Sequence, residues 1–323
     1  MLLLEFENQI AKIEADIQET KTKISEMLEK GYKPTATITN KLKRLEDKLQ
    51  IELAKIYSNL NPWNRQTVAR HPDRPHAIDY INTLFSGFTE LAGDRYFAND
   101  DTIIGGIGFI GDIPAVIIGQ EKGRSIKEKQ HRNFGMPKPE GYRKAVRLMK
   151  LASKMSLPVV TFVDTPGAYP GADAEARGQA EAIAKSIQAC MQNTSPIVSV
   201  VIGEGGSGGA IALATADSII MLENSVYSTI SPEGCAAILW KSSDAKELAA
   251  KALRITADDL KKLHVIDIIV KEPTGGAHRD PKQTIANVGD AIYSELKRLG
   301  KLKNIQKQRE TKFLNMTLDI CKL

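Results

Sequence analysis

Ile197-Val198-Ser199-Val200-Val201-Ile202 runs straight into Gly203-Glu204-Gly205-Gly206-Ser207-Gly208-Gly209 and on into Ala210-Ile211-Ala212-Leu213-Ala214. The β-branched apolar run predicts a buried strand, the glycine cluster a turn, and the alanine-rich stretch the start of a helix. Five glycines in seven residues leave a bare backbone that a ligand can approach closely. The first N–H groups of the following helix have no intrahelical partner, and the helix dipole concentrates positive charge there. Such a turn is suited to negative charge, either a phosphate or a transient oxyanion.

Outward from this unit the pattern is α/β. Residues 103–110, a Gly111-Asp112 turn and residues 113–118 predict a β-hairpin. A helix over 140–155, a strand over 159–163, a loop over 164–171 and a helix over 174–191 lead into the 197–202 strand. Beyond the glycines come a short helix, a strand over 218–222, helices over 244–254 and 257–263, and a strand over 265–270. Strands alternating with helices imply a mainly parallel sheet covered on both faces. Residues 1–60 differ. Ile10, Ile13, Ile17, Ile24 and Leu28, then Leu42, Leu45, Leu49, Leu53, Ile56 and Leu60, recur at helical spacing on either side of Gly31-Tyr32-Lys33-Pro34. This predicts an N-terminal helical hairpin whose narrow apolar stripe packs on the main domain or on a second subunit. Residues 61–280 form the main domain, and 281–323 a polar, helical C-terminal segment.

The chain has 323 residues and 42% apolar content, enough for a substantial core. No stretch near its start has the form of a secretory signal, and no run reaches the ~18 apolar residues of a membrane span, so a cytoplasmic location with no membrane contact is expected. Cys190, Cys235 and Cys321 are far apart and form no CxxC pair. They are expected to be reduced packing residues. His71 and His76 are separated by Pro72 and Pro75 and have no accompanying ligand cluster, so no metal is expected on this chain. Between residues 121 and 154, eleven Lys or Arg face three Glu, a local charge of +8 in a chain of net +5. The segment is either a solvated helix face or an anion-binding surface. It carries no interleaved aromatic platforms, which makes nucleic acid the weakest candidate partner.

Three short motifs fit the glycine region and its surroundings. Gly203-x-Gly205-x-x-Gly208, with Glu223 at the next strand end, satisfies a dinucleotide fingerprint, although it lies two-thirds of the way along the chain. Gly205-x-Ser207-x-Gly209 satisfies the nucleophile elbow of serine hydrolases, with His264 and His278 downstream. His264 sits between a helix and a strand, where a packed imidazole is the expectation. Asp164-Thr165-Pro166-Gly167 imitates a GTPase motif, but the sequence holds no GxxxxGK[ST], which excludes that chemistry. What remains is chemistry that relies on backbone N–H donors, as enolates and ureido anions require.

Larger motifs are more specific. Gly203 to Ala210, Arg132-Asn133-Phe134-Gly135-Met136, Pro139-Glu140-Gly141-Tyr142-Arg143-Lys144-Ala145, Tyr227-Ser228 with Ile230-Ser231-Pro232-Glu233-Gly234, and Glu272-Pro273 with Gly275-Gly276-Ala277-His278 closely resemble the carboxyltransferase α subunit of bacterial-type acetyl-CoA carboxylase. The resemblance spans about residues 61–280 and the helical extension. It implies an α/β, crotonase-like fold of stacked ββα units carrying the N-terminal hairpin. It implies carboxyl transfer from carboxybiotin, tethered to its biotin carboxyl carrier protein, to acetyl-CoA, giving malonyl-CoA for fatty acid biosynthesis. It also implies a β subunit bearing a four-cysteine zinc site, an assembly of two α and two β, and a separate biotin carboxylase that consumes ATP. No covalently bound cofactor is expected here. Carried onto this chain, the ureido oxygen of biotin is held by the N–H groups of Gly209 and Ala210, with Gly205, Gly206 and Gly208 clearing space and Ser207 a small residue in the same turn. Independently of the resemblance, Pro166, Gly167, Pro170 and Gly171 describe a sharply turned loop leaving a strand end, either a pocket wall or a structural loop. From the basic segment, Arg132, Arg143 and Lys144 are candidates for contacts to coenzyme A or biotin. The competing expectation is a self-sufficient crotonase-fold thioester hydrolase or serine protease using Ser207.

Overall fold

The computed structural model describes residues 2–316. A 3-10 turn (Glu5–Ile10) leads into α1 (Ala11–Glu29), which pairs with α2 (Ala36–Tyr57) as the expected hairpin. The proline-rich link then folds into two short helices, α3 (Pro62–Ala69) and α4 (Ala77–Leu84). Pro62 is the reason for the first: at position N1 its missing N–H is no loss, and the Asn61 side chain caps Asn64 N–H at 2.7 Å.

β1 (Ser86–Glu90), β2 (Ile103–Ile110) and β3 (Ile113–Gln120) form an antiparallel run. There follow α5 (Ile126–His131), α6 (Pro139–Met155), β4 (Val159–Thr165), α7 (Ala172–Ala176), α8 (Gln179–Gln192), β5 (Ile197–Gly206) and α9 (Ser207–Ala214). The chain continues through β6 (Ser218–Leu222), β7 (Val226–Ser228), α10 (Pro232–Trp240), α11 (Lys246–Ala252), α12 (Ala257–Lys262) and β8 (Ile268–Val270). It ends, among the described residues, with α13 (Pro281–Leu299) and α14 (Ile305–Asn315). The sheet order is β1-β2-β3-β4-β5-β6-β8, parallel from β3 onward, with β7 added to the end of β5.

Side-chain alternation divides the sheet between two cores. Val159, Val163, Ile197 and Val201 point into a core roofed by α6, α8 and α9, whereas Val160, Phe162, Val198, Val200 and Ile202 point into one roofed by α4 and α13. In the second core, α13 buries Ile285, Val288, Ile292 and Leu296. The last seven residues of the predicted C-terminal helical segment, Cys321 among them, lie outside the described residues. Cys190 and Cys235 are buried and unbridged, and burial pushes the Cys190 thiol up to about 12. No described helix is long and apolar enough to cross a membrane.

Three elements differ from expectation. The helix predicted over 174–191 splits at Gly178, whose φ of +81° a helix cannot carry. The strand predicted over 265–270 shortens to β8, preceded by His264 in left-handed backbone. Most important, residues 203–206 are not a turn. They extend β5, with Gly205 facing Thr165 of β4 and Tyr227 of β7, and pairing on both sides makes the glycines strand.

Candidate active site at the start of α9

The strand therefore turns into the helix at one residue, Ser207, which is exposed and has φ of +52°. Gly206 is the N-cap, and no side chain caps the helix. In this register the Gly206 carbonyl accepts the first intrahelical bond, from Ala210 N–H, which leaves the amides of Ser207, Gly208 and Gly209 without an acceptor inside the helix. Of the expected donors Gly209 and Ala210, Ala210 N–H is thus directed along the helix to Gly206. Beside them opens a cleft of about 290 Å³ lined by Ser207, Gly208, Ile211, Tyr227, Ser228, Thr229, Leu253, Leu260 and Val265. None of these is an acid, a base or a histidine, and burial raises the Tyr227 hydroxyl well above the usual phenol value.

The glycines serve packing more than ligand access. A Cβ on Gly206 would overlap the Pro166 carbonyl, and one on Gly209 would lie 2.8 Å from both the Gly167 carbonyl carbon and Ala168 N. On Gly205 it would meet the Tyr227 ring at 2.9 Å, and on Gly203 the Asp164 carboxylate at 2.5 Å. Only at Gly208 is the neighbourhood ordinary, with Ile183 at 3.6 Å. The loop after β4 and the start of α9 are thus pressed backbone to backbone. A substitution at Gly209 therefore disturbs the fold before it fills a pocket.

Buried polar groups lock this junction. Glu204 Oε1 accepts from Arg70 and, at 2.8 Å, from Gln66 Nε2. Asp164 Oδ1 accepts from Glu204 N–H at 2.9 Å and pairs with Lys122 Nζ at 2.5 Å. Burial raises the Glu204 carboxyl, but the Arg70 hydrogen bonds and the Lys122 charge outweigh it and hold it below the usual range. Farther along α9, Ser186 Oγ donates to the Ala212 carbonyl at 2.6 Å and Thr161 Oγ1 to that of Leu213 at 2.9 Å.

The family description "Acetyl co-enzyme A carboxylase carboxyltransferase-like" matches residues 3–317. The acetyl-coenzyme A carboxylase carboxyl transferase subunit alpha of Cereibacter sphaeroides is 53% identical over 98% of each chain. The chain belongs to this carboxyltransferase α-subunit family. Among solved structures, transcarboxylase 12S with methylmalonyl-coenzyme A bound aligns with a TM-score of 0.59 at 16% identity, over 73% of this chain and 43% of that one. A Pseudomonas malonate decarboxylase hetero-tetramer in complex with coenzyme A aligns at 0.54 and 15%, over 69% and 91%. These likenesses place the fold among crotonase-type carboxyltransferases.

Within the carboxyltransferase fold, the other expected site residues stand apart from the cleft. Gly167 does not line the cleft: its backbone packs against the start of α9 while its Cβ direction is open, at φ of +148°, and Gly171 caps α7 against the Tyr169 ring. Lys144 is fully buried, donating to Asn99 Oδ1 at 2.7 Å and the Asp100 carbonyl at 2.9 Å, and burial lowers its pKa. Arg132 donates to the Asp101 carbonyl, and Arg143 to that of Arg177 at 2.8 Å. All three cations hold loops, which is why the basic segment reads as anion-binding in sequence yet is largely committed in space. His264 is exposed rather than packed, because its backbone turns left-handed at the end of α12. His278 is buried and stacked on His71 at 3.9 Å, with both ring nitrogens unpartnered. Neither histidine bonds Ser207.

The residues missed in the sequence are Thr229, Leu253, Leu260 and Val265. They reach the cleft from separate segments, so no local spacing connects them. Tyr227 and Ser228 stood inside a quoted motif without an assigned role.

Proposed function

We propose that this chain is the α half of an acetyl-CoA carboxyltransferase, moving the carboxyl group of carboxybiotin, on its carrier protein, to acetyl-CoA to give malonyl-CoA. One observation carries the proposal: the start of α9, whose first amides have no acceptor inside the helix, lines an apolar cleft through Ser207 and Gly208, and that cleft contains no side-chain base. Donors without a base suit a reaction whose substrate supplies the base. Cleavage of the N–CO₂ bond leaves its electron pair on the ureido group of biotin. That anion takes the acetyl proton, and the enolate carbon then attacks the released carbon dioxide. The Gly208 and Gly209 N–H groups would stabilise the ureido oxygen as charge develops there, and losing one such donor typically costs roughly 10²- to 10³-fold in kcat.

A β subunit completes the site in this proposal, holding the enolate and carrying the zinc that Cys190 and Cys235, buried and far apart, are not placed to bind. Two α and two β chains would assemble in the cytoplasm, with biotin carboxylase supplying carboxybiotin. Reconstitution tests this. With the β partner, malonyl-CoA and biocytin, acetyl-CoA should form only when this chain is present; equal turnover without it ends the proposal. Replacing the Gly208 amide by an ester tests the donor itself.

Ser207 favours a second reading in one respect, its exposed left-handed geometry at a strand-to-helix corner. Ser207→Ala separates the two: a nucleophile's loss abolishes hydrolysis, whereas carboxyl transfer should change only mildly.

A further inference from the structure

Gln120, the last residue of β3, is fully buried, and both ends of its amide are used. Nε2 donates to the Gly209 carbonyl at 2.8 Å, and Oε1 accepts from Asp164 N–H at 3.2 Å. One side chain therefore bridges the first turn of α9 and the end of β4, just before the loop pressed against that turn. We propose that Gln120 is a positioning residue for the reaction, acting through the Gly209 carbonyl. The proposal rests on the donor role given above to Gly208 and Gly209.

The physical case begins with backbone freedom. Two consecutive glycines impose no Cβ restraint, so the orientation of the Gly208 and Gly209 peptides depends on packing and on hydrogen bonds to their backbone groups. A rotated peptide presents a carbonyl where an N–H should stand and would repel a developing oxyanion. A trans peptide is planar, so holding the Gly209 carbonyl fixes the plane it shares with Ala210 N and restrains the turn that aims the two donors. Only a side chain with both a donor and an acceptor at this reach serves carbonyl and N–H together. An ionised glutamate keeps the Asp164 bond and loses the Gly209 one; methionine keeps the shape and loses both.

The test uses Gln120→Met and Gln120→Glu in the reconstituted complex with the β partner, with kcat and KM for biocytin measured across pH. Both variants should lower kcat by about tenfold or more while KM moves by less than about threefold. Gln120→Glu should regain kcat as pH falls, because a protonated carboxyl again donates to the Gly209 carbonyl, and Gln120→Met should show no such recovery. The titratable and charged groups around this position are Asp164 with Lys122, Glu204 with Arg70, Glu121 hydrogen-bonded to the His76 ring, and the Tyr142 hydroxyl of α6 beside Gly209. All remain in both variants, so the difference between the two profiles belongs to residue 120. A Gln120→Met kcat within about twofold of wild type, or parallel pH profiles for the two variants, overturns the proposal. An ester at Gly208 that leaves kcat unchanged overturns the donor role instead, whatever Gln120 does.

Discussion

At the level of single residues, adjacent glycines in one motif do different things. Gly208→Ala meets only Ile183 at ordinary contact distance, whereas Gly209→Ala drives a Cβ into the backbone of Gly167 and Ala168. Gly209→Ala should therefore destabilise the chain by about 1–3 kcal/mol, and Gly208→Ala by much less, in urea unfolding. Equal midpoints would contradict the packing role. His278 supplies a second residue-scale expectation. Burial first, then the positive surroundings of His71, Arg74 and Arg279, depress its pKa from 6.5 to about 2. Between those values the unfolded chain binds a proton that the folded chain does not, so stability falls as pH drops through this window. The slope from this one group is at most about 1.4 kcal/mol per pH unit. Thermal unfolding of His278→Phe, which keeps a stackable ring, should be less sensitive to acid than wild type. An unchanged difference between neutral and acidic midpoints would count against it.

At the level of elements, the helix that carries the donors is held by its neighbours. Eight residues are too few for an isolated helix, so α9 depends on side chains from β3, β4 and α8 that bond its carbonyls. Thr161→Val removes one of these donors from a buried carbonyl and should cost about 1–3 kcal/mol, read by denaturant midpoint. Element α14 is held by Arg309, which is buried and donates to the carbonyls of Asn193 at 2.8 Å and Ser195 at 2.9 Å while pairing with Asp217 at 2.6 Å. Arg309→Met should be strongly destabilising, by about 3–5 kcal/mol, because Asp217 and the carbonyls are left buried without it. A loss below about 1 kcal/mol in urea unfolding would show that the segment contributes little.

On the scale of the whole molecule, the N-terminal hairpin is, among the described residues, tied to the main domain at its base. Arg279 bonds Glu14 and Glu7, while Leu28 and Tyr32 near the far turn are exposed. Deleting residues 1–60 should accordingly weaken assembly with other subunits before it abolishes catalysis; size-exclusion profiles and turnover of the truncated complex would show the order. The hairpin, the β2–β3 pairing and the alternating α/β order were legible in the sequence because they rest on local periodicity and turn chemistry. The family followed from motifs whose residues are contiguous. Tertiary structure decided whether Gly203 to Gly206 were turn or strand, because that depends on partners at Thr165 and Tyr227 far along the chain. It also decided that Lys144 is a buried strut, and that Gln120 touches the site at all. Composition and spacing determine which elements can form; which backbone groups remain unsatisfied is fixed only when distant segments pack and take up the others.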